Sequence, residues 1–166
     1  MPYEMQSLND LISMLRGRIS SDNRILWFRG HTDAHWTLTP AVKRGYDSAS
    51  ERNLTHRFRS RAGVRREGLP AYDDLASWLA LMQHYGLPTR LLDWSRSPMV
   101  ALFFALEGAH RTTEPTDATL WILEPHALNA AQGFEPVTAA LNAWMYSSLI
   151  KPAYYHKSPE TGKVAA

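Results

Sequence analysis

Gln83-His84-Tyr85-Gly86-Leu87-Pro88-Thr89-Arg90-Leu91-Leu92-Asp93-Trp94-Ser95 decides how this chain folds, because it joins two helices through a stretch dense in polar groups. Before it, Leu75, Trp78, Leu79 and Met82 recur at helical spacing and form one apolar face. That helix starts near Asp73 and Asp74, where acidic side chains suit a positive helix terminus. Gly86 is the expected glycine at its end, with Pro88 two residues on. Residues 90–94 then read as a brief strand. After it, Ser97 can cap a helix whose first position suits Pro98. Residues 99–106 are apolar nearly all round, which predicts a helix central to the core.

Working outward, Ser7 and Asp10 mark a helix start, and Leu8, Leu11, Ile12 and Leu15 share one face. Residues 24–29 are short, apolar and aromatic, a buried strand that Gly30 ends. A loop over 31–40 leads to a basic helix over 48–66, with Leu54, Phe58 and Ala62 inward. A strand over 118–123 and a helix over 137–149 follow. Residues 162–166 read as the start of a strand, so the chain is expected to be a fragment, truncated at its C-terminus. Helices mixed with short, irregularly spaced strands predict an α+β fold, a single compact domain over residues 1–166.

The length of 166 residues suits one domain, and the hydrophobic share of 45% can supply a core. There is no cysteine, which excludes disulfides, thiolate nucleophiles and cysteine-ligated zinc. No apolar run is long enough to span a bilayer, and no secretory leader precedes the first helix, so a cytoplasmic protein without membrane partners is expected. Net charge is only +2, but basic residues crowd the stretch from Lys43 to Arg66. Such a helix is either a solvated face or a surface that meets phosphates.

Arg29 ends an aromatic strand and precedes Gly30. An arginine beside core aromatics is costly to bury without an anionic partner. It is therefore either a guanidinium gripping a phosphate or carboxylate, or one half of a salt bridge, for example to Asp93. Gly30 lets a ligand or a second backbone approach. In the later segment Gln83, Thr89, Arg90, Asp93, Trp94 and Ser95 are candidate ligand-binding residues, and His84 is the best candidate for proton transfer. Turn and cap roles, with Arg90 paired to Asp93, are the alternative. The backbone N–H groups at residues 97–100 are a further candidate anion site. His31, Asp33 and His35 alternate along the chain, but a solvated loop is favoured there and no metal is expected.

Trp27-Phe28-Arg29-Gly30, followed by Trp36-Thr37-Leu38-Thr39-Pro40, resembles the start of the FRG domain. Residues 83–95, with Pro98 and Ala101-Leu102-Phe103-Phe104-Ala105, are similar to that family's central motif. The resemblance covers about residues 24–124. It departs at His31, where the family favours a glutamine-like residue, and at the end, where the family continues into an arginine-containing stretch. It implies a bacterial or phage protein. A looser similarity links Arg29-Gly30 and Leu92-Asp93-Trp94-Ser95 to ADP-ribosyltransferases. That similarity implies that Arg29 holds NAD by a phosphate, that residues 93–95 support its ribose, and that a catalytic glutamate lies beyond Ala166. On these grounds Arg29, His84 and Asp93 are the candidate catalytic residues. Arg29, Gly30, Gln83, Thr89, Arg90, Trp94 and Ser95 are the candidate cofactor-binding ones. The expected function is nucleotide or anion binding, ADP-ribosyltransferase-like and acting in stress or phage defence. The alternative is a non-catalytic module that binds nucleic acid, or an anionic protein target, through the basic helix.

Overall fold

The computed structural model describes residues 3–19, 24–65, 67–107 and 116–138. Its elements are helices α1 (Leu8–Ile19), α2 (Ser48–Arg65), α3 (Leu75–His84), α4 (Pro98–Leu106) and α5 (Pro125–Ala131), and strands β1 (Trp27–His31) and β2 (Thr119–Leu123). A short 3-10 turn, Ala41–Arg44, lies between β1 and α2. The architecture is α+β.

Local chemistry sets the helix starts. Ser7 Oγ accepts from the Asp10 backbone N–H at 3.2 Å, while the Asp10 carboxylate accepts from the Ser7 N–H at 2.9 Å. This reciprocal box fixes the first turn of α1. Asp47 accepts from the Ser50 N–H at 2.7 Å and Asp74 from the Ser77 N–H at 3.1 Å, capping α2 and α3. At the far end of α3, Gly86 has φ +75°, a left-handed conformation open to glycine, and Leu87 N–H donates to Met82 O at 3.0 Å.

β1 and β2 pair antiparallel, with Arg29 opposite Trp121 and Gly30 opposite Leu120. Side chains alternate across a strand, so the pair has two unlike faces. Phe28, Leu120 and Ile122 pack with Leu11, Leu15, Leu26 and Ala101 to form the main core. Gly30 lies on the same face, and a Cβ there would run into the Ala101 carbonyl and come within 2.6 Å of Ala105 N. The other face carries Arg29, His31 and Trp121.

Four expectations change. Residues 90–94 form no strand; only Ser95 bridges to Phe28, through N–O distances of 2.7 and 2.8 Å. The reason is competition from other hydrogen-bond partners for the backbone. Thr89 O accepts from Val42 N–H, the Thr89 hydroxyl accepts from Leu91 N–H, and Asp93 O accepts from Arg29. α4 is not buried all round: Ala101 and Ala105 are buried, while Met99, Val100, Phe103, Phe104 and Leu106 are exposed. Small residues face β1 because the glycine brings the two backbones together. On α1, Leu11 and Leu15 are buried but Leu8 and Ile12 are exposed, a narrower stripe than expected. β1 also runs through Gly30 to His31. α5 has a sequence signal that pattern reading passed over, Pro125 at its first turn. The helix expected over 137–149 lies outside the described residues beyond Thr138, as does the strand-like end.

Candidate functional site

Residues i and i+2 of a strand share a face, and this places Arg29 beside His31. Arg29 Nε donates to His31 Nε2 at 3.1 Å, and Arg29 Nη1 donates to the backbone carbonyl of Asp93 at 2.8 Å. Both acceptors are neutral. Among the described residues no carboxylate forms an ion pair with Arg29, and its Nη2 has no hydrogen-bond partner. Burial lowers the Arg29 pKa below the ordinary arginine value; the nearby Asp93 charge opposes that and Arg44 adds to it.

His31 is 4% exposed. Its Nδ1 lies 3.3 Å from Trp36 O and 3.2 Å from the Trp121 indole nitrogen. Burial pushes its pKa below the usual histidine value. The hydrogen bond to the Trp36 backbone works against this, while Arg29 and Arg44 reinforce it. Pattern reading treated His31 as part of a polar loop; its spacing of two from Arg29 on a strand was the available signal. Arg44 extends the site: its Nε donates to Thr39 O at 3.1 Å, and its guanidinium lies 5.9 Å from the ring centre of Trp36, which is 47% exposed.

The central segment docks below Arg29. One face of the Gln83 amide donates to the Asp93 carboxylate at 2.8 Å, while its oxygen accepts from the buried Thr89 hydroxyl. Gln83, Thr89 and Asp93 are thus brought together, and the Asp93 carbonyl is presented to Arg29. Arg90 turns away. Its Nε and Nη2 meet the two oxygens of Glu51 at 2.7 and 2.6 Å. The alternative of an Arg90–Asp93 pair is therefore replaced by a pair with Glu51, an inward-facing acid on the basic helix. Glu51 shares that inner line with Thr55, also buried.

The other candidates are dispersed. His84 is exposed, with its ring 5.5 Å edge-on from Tyr85 and no hydrogen bond to Arg29 or Asp93. Ser95 Oγ accepts from Ser97 N–H at 3.0 Å, and Ser97 Oγ accepts from Val100 N–H at 3.4 Å, so the first turn of α4 is partly satisfied from within. Trp94 is half-buried. Space beside Gly30 is taken by α4. On α2, Arg59 donates to Tyr72 O and lies over the Tyr72 and Trp78 rings, whereas Arg57 and Arg61 are exposed. Asp33 is paired with His35 at 3.0 Å. No group of three potential metal ligands occurs among the described residues. No helix among them is long and apolar enough to cross a membrane.

The motifs that build this arrangement, Phe28-Arg29-Gly30 and residues 83–95, fall inside the stretch 24–114 that the sequence profile of the FRG domain matches. That is more than half of the chain. The chain belongs to the FRG domain family. No curated protein and no solved structure matches it. In this FRG domain the three residues of the name motif divide their work between two faces of β1. Phe28 fills the core, Gly30 admits α4, and Arg29 turns to the opposite side, where His31 and the Asp93 carbonyl hold it.

Proposed function

We propose that this FRG domain binds a nucleotide-class ligand, with the Arg29 guanidinium on a phosphate. The observation that carries this reading is the state of Arg29: a half-buried cation fixed by two neutral acceptors, with no carboxylate paired to it among the described residues. A structural arginine at such depth is ordinarily neutralised by a carboxylate, as Arg90 is by Glu51. Arg29 instead keeps an Nη2 edge for an incoming anion, and planar guanidinium edges suit phosphate oxygens. A second cation, Arg44, and the exposed Trp36 ring lie on the same side. Positive charge beside an aromatic face is the combination that recognises a phosphorylated base. The similarity to ADP-ribosyltransferases makes NAD the first member of the class to try. Stress response or phage defence is the setting the resemblance suggests.

The test is calorimetric titration of the full chain with NAD, ADP and pyrophosphate. Binding by at least one is expected. Arg29→Lys, which keeps the charge but loses the fork, is expected to weaken it by about ten- to a hundredfold, the worth of one charge-assisted hydrogen bond. Trp36→Ala should weaken NAD and ADP but not pyrophosphate. Binding that survives Arg29→Lys unchanged, in protein shown to be folded, would overturn the proposal.

A further inference from the structure

The buried imidazole of His31 meets three polar groups, and its protonation state decides which of them it can satisfy. Arginine Nε always carries a hydrogen and is always a donor. A neutral ring protonated on Nδ1 accepts from Arg29 at Nε2 and donates to Trp36 O, which satisfies two of the three contacts. A neutral ring protonated on Nε2 accepts only from the Trp121 indole and sets two N–H groups against each other at Arg29. A doubly protonated ring satisfies Trp36 O alone and opposes both Arg29 and Trp121.

We propose that His31 is a positioning residue for the anion site: neutral and protonated on Nδ1, it aims Arg29, and protonation of the ring releases Arg29, so the site weakens on acidification although it gains charge. This rests on the anion-binding reading of Arg29. The charged groups facing His31 favour the neutral ring, against the hydrogen bond to Trp36 O. Arg29 comes from its own strand and Arg44 from the 3-10 turn, both positive, while Trp36 and Trp121 contribute neutral groups. The neighbouring acids are engaged elsewhere, Asp33 by His35 and Asp93 by Gln83. Protonation would add a third charge to a half-buried cationic cluster. The cheapest relief is for the guanidinium to swing off Nε2, and the edge that Arg29 offers to a phosphate swings with it. An ordinary basic site behaves oppositely, holding anions more tightly as pH falls.

The experiment has a ligand-free arm and a binding arm, both on the full chain. In the first, nitrogen-15 spectra report the His31 ring and the Arg29 Nε–H from neutral to acidic pH. A through-hydrogen-bond coupling between Arg29 Nε and His31 Nε2 is expected at neutral pH, disappearing at the midpoint of ring protonation. In the second, sulfate is the probe, because its charge is constant over the range. Its affinity is expected to fall about tenfold or more through that midpoint. His31→Gln, whose side-chain oxygen can accept from Arg29 without titrating, should bind sulfate with no such pH dependence. A proton on Nε2 at neutral pH, a coupling that survives ring protonation, or wild-type sulfate affinity that rises on acidification would each overturn the proposal. Sulfate binding at no pH, with the coupling present and lost on protonation, would instead overturn the anion-site reading and leave the hold of His31 on Arg29 established.

Discussion

Separating Arg90 from Glu51 should damage the fold severely and leave the ligand site's intrinsic affinity alone. Two N–H groups of Arg90 meet two carboxylate oxygens at 2.7 and 2.6 Å, and the side chains are 18% and 6% exposed. At this depth neither group is well hydrated once its partner is removed. Glu51→Gln or Arg90→Met should therefore cost about 3–5 kcal/mol, the penalty for stranding one member of a buried pair. Against a typical total of about 5–15 kcal/mol, that is a large part of the stability. The pair fastens α2 to Arg90, whereas Asp93, whose carbonyl holds Arg29, is held separately by Gln83.

The assay is urea unfolding followed by circular dichroism, run as a double-mutant cycle with Glu51→Leu, Arg90→Met and both together. The double variant is expected to recover most of the loss, because an apolar pair of similar volume avoids the desolvation that the charged pair must overcome. Folded Arg90 variants, compared at a temperature well below their midpoints, should bind the nucleotide as wild type does. Two results would refute the reasoning. Single changes costing under about 1 kcal/mol would place the pair with exposed salt bridges. Strictly additive losses would mean that the two residues act independently.

Gly30→Ala should destabilise by about 1–3 kcal/mol or more in the same assay, because the new methyl meets the backbone of α4, which cannot yield as a flexible side chain would; an unchanged midpoint would disprove the close approach. Stability should also fall as pH drops below about 6.5, the ordinary histidine value. His31 titrates below that value when folded, so the unfolded chain takes up the proton first; the contribution is complete above that pH and is lost on the way down through the folded pKa. The hydrogen bonds that hold Asp10, Asp33 and Asp47 below the usual carboxylate range act with the same sign in a lower window, and their share is lost only below about pH 4. Urea midpoints of wild type and His31→Gln, followed from about pH 7.5 to 4.5, should run parallel above about pH 6.5 and separate as the pH falls below it.

Most helix ends were legible in the sequence because caps are local: Ser7 with Asp10, Asp74 with Ser77, and Ser97 with Val100 act within three residues. The salt bridge considered between Arg29 and Asp93 is replaced by a hydrogen bond from Arg29 to the Asp93 backbone carbonyl. What was not legible depends on partners far along the chain. Whether residues 90–94 make a strand is settled by the Thr89 hydroxyl, which takes the Leu91 N–H, and by Arg29, which takes the Asp93 carbonyl. Whether Arg90 faces a ligand is settled by Glu51, thirty-nine positions earlier. An all-round apolar helix such as α4 gives no hint of which side is buried. The answer lies in Gly30, whose missing side chain selects Ala101 and Ala105.

The same glycine explains why an arginine can stand ready in so short a strand. A two-stranded pair has little stability by itself and needs a covered face. Gly30 draws α4 onto β1 until the backbones touch, and Phe28 completes the core beside it. β1 is thereby anchored through one face, and the other carries Arg29 beside His31, whose ring packs edge-on to Trp36 and Trp121. The position of Arg29 is set by hydrogen bonds, with the Asp93 carbonyl and the His31 ring fixing two edges of a planar group. Such an arrangement orients a cation without neutralising it, which a carboxylate partner could not do. If the carbonyl and the imidazole serve that purpose, Gln83→Leu should reduce ligand affinity as well as stability, since Gln83 fixes the Asp93 segment from behind without touching Arg29. Calorimetry on the folded variant separates the two effects; a variant that loses stability but binds as before would show that the Asp93 carbonyl needs no such support.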